Sequence, residues 1–291
     1  MRARVLENER MSGHTTLGVG GPADVFVEVE TEDDLAALMG CISRAGLPWI
    51  VIGDGANLLV SDKGIRGVVI SLAGEFEDVD VRPPIVQAGA SARISAVADV
   101  AAENDLSGLE GVGTVPGTVG GAIVMNAGTH RGYIDEVTES VSVVTSTGEK
   151  RVLPREECGF TYRGSRFQTD QPMIVTGATF RLQPGDGAAI RRHLEQVRRH
   201  RAESQPQGMS AGCFFKNPES FRGAGGLIES AGGKGLREGR AVVSDIHANF
   251  IINEGGATAA DLRNLAERVR DLVREKHGIE LEYEVRMIGE W

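Results

Sequence analysis

The sequence predicts an α/β fold in at least two lobes, on three observations. The chain has 291 residues, enough for two domains at roughly 100 to 200 residues each. Strand-like apolar runs alternate with helical apolar stripes along most of its length. Glycine supplies 39 of the 291 residues with no collagen-like period, against a usual level of about 7 %, so close backbone approach is used repeatedly.

The opening is β-α-β. From Asp24, Val25, Val27 and Val29 fall on one face of a strand. Thr31 with Asp34 resembles a capping box for a helix whose stripe is Leu35, Leu38 and Ile42, and Gly46 then Pro48 stop it. Residues 49–52 follow as a buried strand, an order that predicts a parallel pair covered by the helix. Residues 67–72 and 85–88 are further strands, and Ser91 is the expected cap of a helix carrying Ile94, Val97, Ala98, Ala101 and Ala102. After a glycine-rich stretch, 137–144 alternate as a strand, Thr147-Gly148 turns the chain and 150–153 pair back. Another strand is expected over 173–182. Residues 186–201 read as a basic, exposed helix with Arg191, Arg192, Arg198, Arg199 and Arg201, followed by polar Ser204-Gln-Pro-Gln-Gly208, so a domain boundary is placed near residue 185. Thr258-Ala-Ala-Asp261 opens a last helix with Leu262, Leu265, Val269, Leu272 and Val273, and 279–288 is a closing strand.

Composition removes several function classes. A net charge of −10 disfavours a nucleic-acid partner. No run of 18 apolar residues occurs, so no membrane insertion is expected, and the mixed-charge first ten residues lack the apolar stretch of a secretory signal. A cytoplasmic location is the resulting expectation. Cys41, Cys158 and Cys213 stand far apart with no C-x-x-C spacing, which supports neither a disulfide framework nor a metal site.

Three glycine-rich loops carry the first functional signal: residues 18–23, residues 53–58, and residues 111–122 leading to Asn126-Ala-Gly128. Each offers either a tight turn or a nest of backbone N–H groups suited to a pyrophosphate, because glycine admits positive φ and no Cβ stands in the way. Three together, one after a buried strand, favour a dinucleotide ligand. Gly18-x-Gly20-x-x-Ala23 has Rossmann spacing, yet no strand precedes it, Pro22 sits inside it and a strand follows, so it is rejected. No P-loop string occurs.

Five strings occur in order: Gly53-Asp-Gly-Ala-Asn-Leu-Leu59, Val115-Pro-Gly-Thr-Val-Gly-Gly-Ala122 to Asn126-Ala-Gly128, Thr161-Tyr-Arg-Gly-Ser165, Gly212-Cys-Phe-Phe-Lys-Asn-Pro218 and Leu281-Glu-Tyr-Glu-Val-Arg286. Together they resemble the UDP-N-acetylenolpyruvoylglucosamine reductase family over about residues 15–289. The resemblance implies a cytoplasmic FAD enzyme of peptidoglycan synthesis. With NADPH as co-substrate, it would reduce UDP-N-acetylglucosamine enolpyruvate to UDP-N-acetylmuramate. It also implies a two-lobed FAD-binding domain of the vanillyl-alcohol-oxidase type over residues 1–185, with lobes of about 1–72 and 73–185. A smaller α/β substrate-binding domain would cover 186–291, its last strand returning to the active site. With tyrosine only at Tyr133, Tyr162 and Tyr283, the chain looks like the shorter, type II form.

Carried over motif by motif, the resemblance places the flavin pyrophosphate on Gly53, Asp54, Gly55, Ala56, Asn57 and Leu58 and on Pro116, Gly117, Thr118, Gly120, Gly121 and Ala122. Asn57 and Thr118 would add side-chain hydrogen bonds. Arg163, beside Tyr162, matches the arginine that holds the enolpyruvyl carboxylate, a task suited to a planar, permanently charged fork. Glu284 matches the carboxylate assisting the enol-like intermediate; Glu282 remains the alternative, since Tyr283 replaces the family's usual proline. Lys216 and Asn217 are expected to meet the diphosphate or the nicotinamide. His247, Asn249, Phe250 and Asn253 match a family string read mainly as packing, with Asn249 or Asn253 a candidate to reach the sugar.

The departure is Cys213, which stands where the family has the serine that protonates C2 after hydride reaches C3. A thiol, with an ordinary pKa of about 8.5, is a stronger acid than an alcohol. Lys216 and Arg163 nearby would lower it, and a thiolate cannot donate, so activity is expected to fall at alkaline pH through ionisation of Cys213. Two other readings are a same-fold FAD oxidoreductase acting on another substrate, and a non-catalytic flavin or UDP-sugar binding relative.

Overall fold

The computed structural model describes residues 3–129, 131–169, 173–218 and 223–291. The chain forms two compact units, each assembled from separated stretches. One takes the described residues up to Leu6, Phe26–Gly53 and Val68–Arg199; the other takes Glu7–Val25, Asp54–Gly67 and His200–Trp291. The expected divisions at 72 and 185 are therefore not where the chain is parted. The reason lies in the core of the second unit, where Leu17, Val19 and Leu59 pack with Phe214, Phe215, Ile228, Ile251 and Leu262. These early residues find their apolar partners only in the C-terminal part of the chain.

In the first unit a five-stranded antiparallel sheet runs in the order Lys150–Pro154, Thr138–Val144, Ile174–Arg181, Ile85–Gly89, Val79–Arg82. The hairpin forms as its spacing predicts, with Val144 opposite Lys150. The caps of helix Glu32–Ala45 are as expected, Thr31 Oγ1 accepting from Asp34 N and Gly46 ending it at φ +62°, but the buried stripe is Leu35, Met39 and Ile42, with Leu38 only half-buried. The β-α-β pair is different. Trp49–Ile52 does pair in parallel, but with Val68–Ser71 of the strand Ile65–Leu72, which lies between it and Pro22–Val29. A parallel crossover leaves room for one more strand, and the apolar run around Val69 fills it. Helix Ile94–Glu103 buries all five expected residues, yet Ser91 does not cap it; its hydroxyl donates to Leu72 O instead.

The basic helix spans Gly187–Ser204 and is not a free cationic face. Arg198 Nη2 meets both carboxylate oxygens of Asp99 at 2.8 and 2.9 Å, and Arg191 Nη1 donates to Ala102 O at 2.9 Å. Both anchors dock it on helix Ile94–Glu103, because exposed-looking arginines can spend their donors on a neighbour's C-terminal carbonyls and acids.

In the second unit, helix Ala259–His277 is the main apolar element, with Leu262, Leu265, Val269 and Val273 buried. Its start is doubly satisfied. Thr258 and Asp261 form a reciprocal capping box, and the Asp62 carboxylate accepts from both Ala259 N and Ala260 N at 2.9 Å. The closing strand is shorter than the 279–288 expected. Only Arg286–Ile288 pairs regularly, in parallel with Leu58–Val60, while Tyr283 makes a single bridge to Phe215. The glycine loop at 18–23 is closely packed against main chain. A Cβ on Gly21 would lie 2.1 Å from Asp62 O, and one on Gly64 would lie 1.8 Å from Pro22 O. Here two main-chain runs cross at a distance that only glycine permits. Among the described residues no helix is long and apolar enough to cross a membrane.

Candidate active site

The first unit carries Gly53, the loop 116–122 and the Tyr162-Arg163 turn. Gly53 lies against Thr118 so closely that a Cβ would sit 2.6 Å from Thr118 Oγ1. Thr118 caps the short helix Val119–Val124, accepting from Gly121 N. Gly117 sits at φ +119°, which glycine alone adopts without strain. Gly120 N and Ala122 N are already committed, to Ala90 O and Thr118 O. The latter part of this loop is therefore pinned to its own unit, with the Thr118 side chain lying against Gly53.

Arg163 is displayed on a tight turn in which Thr161 and Gly164 exchange two main-chain hydrogen bonds of 3.0 and 3.1 Å. Its backbone is left-handed at φ +54°, a strain of order 1–3 kcal/mol for a non-glycine residue that persists where the surroundings over-determine it. Those surroundings are another of the sequence strings. Asn126 Nδ2 donates to Thr161 O at 3.0 Å, and Arg163 Nη1 donates to Gly128 O at 3.1 Å. Asn126 is 5 % exposed and itself left-handed at φ +41°. Its part in holding the arginine was missed, although it stood inside a quoted motif. Tyr162 is half exposed beside Arg163, with the guanidinium carbon 5.4 Å from its ring centre.

The second unit carries Asp54 to Leu58, Cys213, Lys216, Asn217, Asn249 and Glu284. Gly55 is held at φ +63° where a Cβ would lie 2.1 Å from His14 O. Asn57, expected to offer its amide to the pyrophosphate, gives one N–H to Glu284 O at 3.0 Å, and its own carbonyl accepts from Arg286 N. The run Cys213 to Lys216 lies between two others. On one side Cys213 bridges Phe250 and Phe214 N donates to Asn249 O; on the other Glu284 N donates to Phe214 O and Lys216 N to Glu282 O. Phe214 and Phe215 are fully buried, and the Phe215 ring stacks on Tyr283 at 5.3 Å.

Glu282 and Glu284, two residues apart, differ in partner and in exposure. Glu282 lies opposite Lys216, forms a 3.2 Å ion pair with its Nζ and keeps three-quarters of its side-chain surface in solvent. Glu284 is half-buried beside Phe214. Asn217 Oδ1 accepts from Ala224 N, at the start of helix Ala224–Ser230. Asn249 does not reach outward for a sugar. It is 2 % exposed, and its amide is taken by the Phe215 main chain, Oδ1 accepting from N at 3.0 Å and Nδ2 donating to O at 2.8 Å. Asn253 is likewise inward, with Nδ2 on Leu17 O.

The thiol of Cys213 is half-buried. Its charged neighbour within this unit is Arg201, half-buried at the end of the basic helix and assigned from sequence to a solvated face. Burial pushes the Arg201 guanidinium down from its ordinary range, and negative charge at Cys213 pulls it back up. The signal for this residue was its place near the end of the basic helix, just before the polar Ser204 to Gly208 stretch. Cys158, by contrast, is fully buried in the first unit and pushed up to about 11 by burial, which keeps it a protonated thiol.

A family model described as "UDP-N-acetylenolpyruvoylglucosamine reductase, C-terminal domain" matches residues 205–288, and one described as "FAD binding domain" matches residues 23–153. A UDP-N-acetylenolpyruvoylglucosamine reductase of Heliobacterium modesticaldum is 43 % identical over 290 residues, covering 99 % of this chain and 92 % of the relative. That of Geobacter metallireducens is 45 % identical over 296 residues, covering 100 % and 96 %. The crystal structure of UDP-N-acetylenolpyruvylglucosamine reductase from Thermus caldophilus superposes with a TM-score of 0.84 at 39 % identity, over 99 % of each chain.

Proposed function

The chain belongs to the UDP-N-acetylenolpyruvoylglucosamine reductase family, and we propose that it reduces UDP-N-acetylglucosamine enolpyruvate to UDP-N-acetylmuramate with NADPH as hydride source and Cys213 as proton donor. It is an FAD-dependent oxidoreductase with a mixed α/β fold, an FAD-binding domain of the vanillyl-alcohol-oxidase type joined to a smaller C-terminal domain. The observation that carries the mechanism is the Glu284 N to Phe214 O bond at 3.0 Å, which sets the runs bearing Cys213 and Glu284 side by side.

The residues present fit the cofactor. Gly53, Gly55 and Gly117 leave main chain where a Cβ would otherwise meet Thr118 or His14 or force strain, as a diphosphate approached by backbone requires. With FAD held there, the chemistry supplied would be hydride transfer from NADPH to C3 of the enolpyruvyl group. Arg163 binds the carboxylate of that group, and its rigid turn keeps the guanidinium in place as negative charge grows there. Glu284 assists the enol-like form of the substrate, while Glu282 balances Lys216. Cys213 Sγ delivers the proton to C2, and Arg201 near it stabilises the thiolate left behind. Lys216 serves the diphosphate or the nicotinamide. We infer a cytoplasmic location, where such substrates are expected.

Purified protein tests this directly. The visible spectrum is recorded, then NADPH oxidation is followed with and without the enolpyruvyl substrate for wild type, Cys213→Ser and Cys213→Ala. A yellow protein whose turnover needs the substrate, survives in Ser and drops by about 10²-fold or more in Ala is expected for a general acid. Full activity in Cys213→Ala would remove the thiol from the mechanism, and a protein that takes up no FAD would remove the flavin.

A further inference from the structure

We propose that Asn249 is the positioning residue of this site: its buried amide acts as a substitute strand partner for Phe215 and so holds the proton-donor run in register with the run bearing Glu284. The proposal rests on the assignment of Cys213 and Glu284 just made. The run Cys213 to Lys216 belongs to no regular strand, so no continuous ladder fixes its register. Its two flanking runs supply isolated bridges only, Cys213 to Phe250 and Phe215 to Tyr283. Register in such a segment is weakly specified unless something else pins it, and a one-residue slip turns every side chain to the opposite face. Here a slip would carry Cys213 away from the face it now presents.

Asn249 supplies the pin. Its side chain satisfies both the N–H and the C=O of one residue, at 3.0 and 2.8 Å, the pair of bonds that a neighbouring strand would make. Its own carbonyl takes the next donor, Phe214 N, at 2.8 Å. Phe214 O then receives Glu284 N at 3.0 Å, and Glu284 O receives Asn57 Nδ2 at 3.0 Å. One chain of hydrogen bonds thus runs from Asn249 through the donor run to Glu284 and on to Asn57 in the glycine-rich loop 53–58. The chain is dry at its origin, since Asn249 is 2 % exposed and Phe215 1 %. Water cannot substitute for a lost bond there, which makes the arrangement all-or-none. His247 supports the turn from behind, its Nδ1 accepting from Asn249 N.

The test uses the FAD-loaded full chain. Asn249→Asp keeps the size and the bond from Phe215 N but sets a carboxylate oxygen against Phe215 O; Asn249→Leu keeps the volume and loses both bonds. Each of the two half-reactions is followed by flavin absorbance in stopped flow. The expected result is an unchanged rate of flavin reduction by NADPH, and a loss of roughly 30- to 100-fold in reoxidation by the enolpyruvyl substrate, the scale of a misplacement of about 1 Å. In a Cys213→Ala background the Asn249 change is expected to cost less than about 3-fold more, since both act through one proton transfer. Equal losses in both half-reactions, additive losses in the double variant, or failure of both variants to fold would each overturn the proposal. If Cys213→Ala alone leaves reoxidation intact, it is the proton-donor assignment that fails, which the single variants distinguish.

Discussion

Two neighbouring glutamates on one run differ in surroundings because of what lies across from them. Glu282 faces Lys216 and solvent, so its charge is balanced and screened, whereas Glu284 is half-buried in the run that flanks Cys213. Glu284→Gln is expected to lower kcat by about 10²-fold or more with substrate KM little changed, as for loss of a group acting in the transition state. Glu282→Gln should stay within about 3-fold in kcat, because a screened surface pair is worth about 0–1 kcal/mol. Steady-state kinetics on the two variants decide it, and the reverse order would exchange their roles. His247 gives a pH prediction of the opposite kind. Burial holds its imidazole below the ordinary value of 6.5, with Lys234 adding to the effect. The unfolded chain then takes up the proton first, so the contribution to stability is fully present above that value and is lost as pH falls below it. Urea midpoints measured between pH 7.5 and 5.5 should fall less steeply in His247→Gln than in wild type; parallel slopes would show that His247 does not titrate on unfolding.

At the scale of elements, caps and stripes decided which predictions were sound. Thr31, Gly46, Thr258 and the stripe from Leu262 to Val273 carry local chemistry that acts within a few residues, and the structure uses them as the sequence suggests. Ser91 failed as a cap because a longer-range acceptor, Leu72 O, took its hydroxyl. The cap on helix Ala259–His277 lends itself to measurement, since Asp62 satisfies two of its orphan N–H groups from outside the helix. Thr258→Ala should cost about 1 kcal/mol, and Asp62→Ala at least as much. Denaturant unfolding of the two variants checks the ranking, and an Asp62→Ala protein as stable as wild type would show that water fills the role.

For the molecule as a whole, the cofactor is the largest lever on stability available. FAD at 100 times its Kd should stabilise the apoprotein by about 2.7 kcal/mol by mass action. Gly53→Ala should blunt that gain and lower the bound flavin per chain, because its methyl group would meet Thr118 Oγ1 at 2.6 Å. Thermal midpoints with and without FAD, set beside the absorbance ratio, give the answer; equal flavin content in wild type and variant would mean that this approach does not shape the site. By itself the sequence determined the class of fold, the longer helices, the antiparallel hairpin and the five strings that carry the family resemblance, because turns, caps and apolar periods act over a few residues and motif residues keep their order, while the short helices Val119–Val124 and Ala224–Ser230 were not foreseen. It also left Cys213 in plain view. Only the tertiary structure decided that residues 7–25 and 54–67 belong with the C-terminal part, that Arg201 is half-buried and feels the charge of Cys213, and that Asn249 spends its amide on Phe215. Those are pairings between residues some 12 to more than 200 positions apart. They are set by which buried donor finds which acceptor and which apolar side chain fills which gap, and no local pattern in the chain records that choice.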